Sequence, residues 1–377
     1  MTGKVAQFGV LGPLQVTVDG APIALGTPKQ RAVLAVLLIN RNRPVAVESL
    51  LTAAWGDDPP TGARASLHSY VSNLRKLLAT AGAGKDALVS APPGYRLSVP
   101  ESDLDLGRFA AAKAAGVRAA AAGEFALAGR HLSAALAEWR GPVLEDLAGF
   151  EFVDGLATAL NEDRLSAVTA HAEAEIACGR AADVITALES LTAENPFREP
   201  LWAQLITAYY LDERQHDALD AYSRLKNTLA EELGIDPGPS LRALHQKILR
   251  QEPLDAQVSA RTSAVGSVTQ LDAHTALSGA AAGAYLQDPA GRRYALLAVA
   301  TRIGRLDDND IVLPDANVSR HHAAVIDTGT SYVISDLRSA NGIDVQHSRV
   351  RGSVGLNDGD VIRICDHTFT FHIGDGS

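Results

Sequence analysis

Thr301-Arg302-Ile303-Gly304-Arg305, Val318-Ser319-Arg320-His321-His322 and Asp336-Leu337-Arg338-Ser339-Ala340-Asn341-Gly342 follow one another in the last hundred residues. With Asn309-Asp310-Ile311-Val312-Leu313 and Leu356-Asn357-Asp358-Gly359-Asp360 they form a β-rich module whose polar loops offer a guanidinium, a hydroxyl and a carboxamide. Those groups suit one phosphate, since a phosphorylated threonine carries about −1.5 to −2 charges and three acceptor oxygens. A single Gly-Arg is usually a turn with a solvated arginine, and a single Asn-Gly a hairpin turn. Five such blocks in series are a pattern. His321 and His322 do not suggest a metal site, because neighbours on a strand face opposite sides and no third ligand stands near them.

On these blocks, residues 284 to 377 closely resemble a forkhead-associated domain, a β-sandwich that binds phosphothreonine peptides. The resemblance places Arg305, Ser319, Arg320 and Asn341 as phosphothreonine-binding residues, supported by Gly304, His322 and Gly342. In the family, the histidine three positions after the serine braces the loop instead of touching phosphate, a role that falls on His322. The position before Asn341 usually carries Ser or Thr; this chain has Ala340, which alters one contact to the peptide.

The 377 residues suffice for two or three domains. No apolar run is long enough to cross a membrane and the first residues lack a signal pattern, so a cytoplasmic protein without membrane insertion is expected. Cys178 and Cys365 fall in different blocks without metal spacing and are expected as reduced core thiols. The net charge of −10 is unevenly spread. The first hundred residues carry ten Lys and Arg against five Asp and Glu, leaving about −15 for the rest. A basic module at one end of an acidic chain is compatible with DNA binding.

In that module, Phe8, Val10, Leu14, Val16 and Val18 alternate before Asp19-Gly20 and predict a hairpin. Thr27-Pro28 starts a first helix, a second holds Val47, Leu50, Leu51 and Trp55 and stops at Pro59-Pro60, and a third starts near Gly62. Leu67, Tyr70, Val71, Leu74, Leu77 and Leu78 define the third helix's buried stripe. His68, Ser69, Ser72 and Lys76 project opposite it, with Asn73 and Arg75 on the flanks and Arg64 in the first turn. Small hydroxyls and amides between cations suit a helix in a major groove. Leu88 to Leu97 reads as two short strands about a turn, so the whole is a helix-turn-helix with a wing.

Gly12-Pro13-Leu14, Pro28-Lys29-Gln30-Arg31, Ser72-Asn73-Leu74-Arg75-Lys76-Leu77 and Gly94-Tyr95-Arg96-Leu97 resemble the OmpR-type winged helix of the Streptomyces antibiotic regulatory protein family. The resemblance implies base reading by His68, Ser69, Ser72 and Asn73, and phosphate contact by Arg64, Arg75, Lys76 and Arg96. The middle block is helical. Asp183 with Asp217, Ala187 with Ala221, and Leu191 with Leu225 recur at 34 residues, the period of tetratricopeptide helix pairs. Trp139-Arg140-Gly141-Pro142, Pro196-Phe197-Arg198-Glu199-Pro200-Leu201-Trp202 and Glu232-Leu233-Gly234-Ile235-Asp236-Pro237-Gly238-Pro239 resemble the bacterial transcriptional activation domain that follows the winged helix in that family.

The expected organisation is therefore multidomain α+β. It has a winged helix over 1–100, an all-α tetratricopeptide-like activation domain over 101–252, a mobile linker over 253–283 and an all-β forkhead-associated sandwich over 284–377. Gly82-Ala83-Gly84-Lys85 lacks the first glycine and the Ser or Thr of a phosphate loop, and no nucleophile or kinase motif set appears. No enzyme, metal or cofactor is expected. The resemblance implies an actinobacterial transcription regulator that binds double-stranded promoter DNA and a phosphorylated Ser/Thr protein kinase, and that is itself open to phosphorylation. It admits RNA polymerase and a second copy of the chain as further partners, and cell-wall arabinan synthesis genes as targets. A kinase-binding decoy that does not activate transcription, and a scaffold using the helical repeats alone, are the competing readings.

Overall fold

The computed structural model describes residues 6–56, 58–84, 86–278, 284–296, 300–307, 309–328, 331–350 and 352–374. Lys85 and residues 279–283 of the expected linker lie outside the described residues. The chain divides into two compact units: 1–111 with 137–164 and 270–377, and 112–136 with 165–269.

In the first unit, β1 (Ala6–Gly9), β2 (Gln15–Val18) and β3 (Ala21–Pro22) form an antiparallel sheet. Asp19 and Gly20 both take positive φ, 49° and 83°, which matches the twist of a two-residue hairpin. Helix α1 (Pro28–Ile39) starts where Thr27 accepts the Gln30 N–H and Pro28 occupies the first turn. Next come β4 (Pro44–Ala46) and α2 (Val47–Trp55), which ends at Gly56 with φ 76°, before the prolines expected to stop it. Helix α3 (Ala63–Thr80) buries Leu67, Val71, Leu74 and Leu78 of the predicted stripe and leaves Tyr70 and Leu77 half-buried. The wing is β5 (Leu88–Ala91) with β6 (Gly94–Leu97), and β4 pairs along the other edge of β6. That third strand is three residues long, too short for an alternation to announce it.

Asp105 ties the first sheet to the start of the middle block. It is 2% exposed and accepts the Val10 and Leu11 N–H groups, each at 2.9 Å, and Arg140 Nη2 at 3.1 Å. Burial pushes this carboxyl up from its ordinary value and outweighs the opposing pull of the two N–H groups and Arg140. Trp139-Arg140-Gly141-Pro142 is thus a bracket for the N-terminal sheet.

The helices of the middle are α4 (Asp105–Ala121), α5 (Phe125–Leu136), α6 (Glu151–Ala177), α7 (Ala181–Glu194), α8 (Glu199–Leu211), α9 (Gln215–Leu233), α10 (Pro239–Leu249) and α11 (Ala256–Ser278). Helices α7 and α9 start 34 residues apart, at Ala181 and Gln215, but the repeat is incomplete in burial. Ala221 and Leu225 are fully buried, whereas Ala187 is exposed and Leu191 half-buried. Helix α10 packs on α9 as well as on α8, which helps close the face of α9 that its counterpart on α7 leaves open.

The segment read as a mobile linker is helical from Ala256 onward. Asp255 Oδ1 accepts the Val258 N–H at 3.0 Å to start it, and Ala260 and Ala264 are buried in one cluster with Ala128, Leu132, Ala174 and Ala177. The few bulky apolar residues there suggested a segment that does not pack. Alanines four apart let helices approach closely, so small side chains carry the contact.

The last block has strands β7 (Tyr285–Gln287), β8 (Arg293–Ala295), β9 (Ala300–Gly304), β10 (Ile311–Val312), β11 (Ala323–Asp327), β12 (Tyr332–Asp336), β13 (Ile343–Val345), β14 (Ser348–Arg349), β15 (Ser353–Leu356), β16 (Val361–Ile364) and β17 (His367–His372). They form two sheets, ordered β10-β9-β11-β12-β15 and β14-β13-β16-β17-β7-β8. Ile303, Val325, Ile334, Ile362, Phe369 and Phe371 belong to one shared core, which makes a sandwich.

Candidate functional site

Three loops of the sandwich meet at one place: β9–β10 with Arg305, β10–β11 with Ser319 to His322, and β12–β13 with Ala340 to Gly342. They enclose an open depression of about 530 Å3 lined by Arg305, Asn317, Ser319, Arg320, Arg338, Ala340 and Asn341, among others. All four residues predicted to bind phosphothreonine therefore stand in one wall set. Arg305 is exposed, and its guanidinium has no partner among the described residues. Its own N–H donates to the Ser319 and Arg320 carbonyls at 3.0 and 3.1 Å, so the backbone is fixed while the cation is free.

Ser319 Oγ accepts the Ala340 N–H at 3.0 Å, which uses a lone pair and leaves the hydroxyl hydrogen to donate. Asn341 Nδ2 donates to the Asn317 carbonyl at 2.8 Å. The supporting residues explain why the loops hold together. His322 is 0% exposed; its Nδ1 accepts the Ser319 N–H at 3.0 Å and its Nε2 bonds the Gly342 carbonyl at 3.1 Å. One ring nitrogen accepting and one donating is the neutral imidazole with its proton on Nε2. At Gly304 a Cβ would lie 2.2 Å from the Arg320 carbonyl oxygen, so only glycine permits that approach. Gly342 is buried at φ 62°.

Two neighbours of this site were not assigned to it from the sequence. Cys365 is half-buried and its thiol, pushed up chiefly by burial, donates to the Asn317 carbonyl at 3.1 Å. Cys178 is also half-buried, and both are free thiols packed at the edge of a hydrophobic core. Glu151, at the start of α6, lines the depression as well. Nothing in the local sequence around Glu151 marks it, because only the fold brings it there.

The basic face of α3 divides into anchored and unanchored residues. His68 Nδ1 pairs with the Tyr95 hydroxyl at 2.9 Å, and Asn73 Nδ2 donates to Gln30 Oε1 at 3.3 Å. Arg75 donates through Nε to the Leu88 carbonyl at 2.9 Å and through Nη2 to Ser90 Oγ at 3.1 Å, which docks the wing on α3. Arg64 pairs with Glu48. Ser69 Oγ donates back to the Ala65 carbonyl at 3.1 Å. Ser72, Lys76 and Arg96 are exposed without a side-chain partner among the described residues. Helical periodicity identified an outward face, but it could not show that Gln30, Glu48, Leu88 and Ser90 claim Asn73, Arg64 and Arg75 from it.

Among the described residues no group of three His, Cys, Asp or Glu side chains could hold a metal ion, and no helix is long and apolar enough to cross a membrane.

Comparison with known proteins places each block. Residues 20–97 match the C-terminal family of transcriptional regulatory proteins, 104–249 the bacterial transcriptional activator domain and 301–365 the FHA domain. The chain is 67% identical to the transcriptional regulatory protein EmbR of Mycobacterium tuberculosis over 378 residues, 99% of this chain and 97% of that one. It is 54% identical to MoaR1 of the same organism over 67% of this chain and 82% of MoaR1. It is 33% identical to the regulatory protein DnrI of Streptomyces peucetius over 66% of this chain and 93% of DnrI. A solved structure of Mycobacterium tuberculosis EmbR in complex with a low affinity phosphopeptide superposes with a TM-score of 0.97 at 67% identity, covering 99% of both chains. Winged helix, activator domain and FHA sandwich thus occur here in one order and one fold, and the chain belongs to the EmbR family of transcriptional regulators.

Proposed function

We propose that this regulator binds promoter DNA through α3 and the wing and is controlled by a phosphorylated Ser/Thr kinase whose phosphothreonine docks between Arg305, Ser319, Arg320 and Asn341. The observation that carries this reading is the braced set of loops around an unpaired guanidinium. A phosphate arriving there meets a free guanidinium on a fixed backbone and neighbouring neutral donors, and each charge-assisted bond is worth about 1.5 to 3 kcal/mol. The phosphopeptide seen with the 67% identical EmbR supports the same assignment. The reading places the protein in the cytoplasm, where promoter DNA is accessible, and leaves the helical block to contact RNA polymerase or a second copy of the chain.

On the DNA side, Ser72, Lys76 and Arg96 are the residues proposed to meet DNA directly, with His68, Asn73 and Arg75 setting the pose of α3 against α1 and the wing. Lys76→Ala should weaken binding to all sequences and lower the salt slope by about one, the signature of one lost phosphate contact. Ser72→Ala should shift sequence preference instead. A gel-shift salt series on the full chain checks both, and binding unaltered in both variants would remove α3 from the interface.

Ala340 is exposed in the wall of the depression, beside Asn341. A hydroxyl added there reaches the bound peptide, so Ala340→Ser should tighten phosphopeptide binding by about 0.5 to 1.5 kcal/mol, the net worth of one hydrogen bond. Titration calorimetry measures this directly; unchanged affinity would mean the side chain misses the peptide.

A further inference from the structure

Glu151 puts a carboxylate in the wall of a depression otherwise furnished for an anion. Its companions there are the cations Arg305, Arg320 and Arg338. The placement is held by more than one contact. Glu151, Asp154 and Gly155 fall on one face of α6, three and four residues apart. Asp154 Oδ2 pairs with Arg338 Nη2 at 3.0 Å, and a Cβ on Gly155 would lie 3.1 Å from Leu337 Cδ2. The first turn of α6 is therefore seated on the β12–β13 loop, the loop that carries Ala340 and Asn341. The ion pair is exposed and holds little by itself. The close contact of Leu337 with Gly155 fixes the approach.

A carboxylate in the wall of the same depression opposes a bound phosphate, unless the peptide brings a cation of its own. We propose that Glu151 makes the phosphothreonine pocket a composite site, selecting peptides that carry a Lys or Arg within about three residues of the phosphothreonine and disfavouring acidic ones there. Three residues of extended chain span about 10 Å, enough for such a side chain to turn to Glu151 within one depression while the phosphate stays among the three loops. The residue comes from outside the sandwich, so specificity is a property of the whole chain. The inference rests on the phosphothreonine reading given above.

The test uses the full chain and a set of phosphothreonine peptides with Arg, Ala or Glu placed singly at each of the three positions on either side. For the best position, the natural protein should prefer Arg over Glu by about fivefold, the scale of one exposed pair. E151Q should reduce that ratio below about twofold, and E151K should invert it, with melting curves unchanged because Glu151 is exposed. Equal affinity for all the phosphopeptides in the natural protein would overturn the inference and leave the phosphothreonine reading standing. So would an E151Q variant that binds every phosphopeptide more tightly by one common factor, which would make Glu151 a mere repulsive wall. Failure of the natural protein to distinguish any phosphopeptide from its unphosphorylated form would overturn both.

Discussion

Arg305→Ala should lower the affinity for a phosphothreonine peptide by about 2 to 4 kcal/mol, roughly 30- to 900-fold, and leave the folded protein untouched. The size follows from the environment of the guanidinium. It is exposed and has no partner among the described residues, so its removal leaves no buried group unsatisfied. On the proposed reading it is the planar fork that meets a dianion, and its loss would leave the phosphate with the neutral donors of Ser319 and Asn341 and the neighbouring Arg320. Calorimetry with phosphorylated and unphosphorylated peptides measures the difference. A variant that still discriminates the two forms as strongly as the natural protein would show that the pocket lies elsewhere.

His322→Ala should act in the opposite manner, through the fold first and through affinity second. The imidazole is fully buried and satisfies the Ser319 N–H and the Gly342 carbonyl at once. Deleting it strands both groups, at about 1 to 3 kcal/mol each, and adds a cavity the size of the lost ring. A destabilisation of about 2 to 5 kcal/mol in the sandwich is expected, with weaker peptide binding as the loops holding Ser319 and Asn341 come apart. In a chain of several domains one melting temperature is ambiguous. Amide exchange at Ser319 reports the change locally: its protection should fall in the variant, and unchanged protection would refute the brace.

Much of this protein was legible in its residues because the information is local. Each turn of the sandwich carries its own polar signature, so Arg305, Ser319 and Asn341 could be named before their loops were seen to meet. The hairpin at Asp19-Gly20, the capped start of α1 at Thr27-Pro28 and the buried stripe of α3 likewise depend on neighbours within a few residues. Composition misled where packing relies on small residues. Ala260 and Ala264 are buried in a helix contact within a segment that reads as linker, since close approach needs little side-chain volume.

The sequence by itself determined the three kinds of domain, their order, the residues that line the candidate pocket and the outward face of α3. These follow from short-range backbone preference and hydrophobic period, which act before distant segments meet. Only the tertiary structure decided which members of that face are already engaged. Gln30, Glu48, Leu88 and Ser90 reach Asn73, Arg64 and Arg75 from other elements, and no spacing rule reports a hydrogen bond between segments whose separation is set by the fold. The same holds for Glu151. Its place in the pocket wall exists because Leu337 packs against Gly155 and Asp154 pairs with Arg338, contacts between segments far apart in the chain.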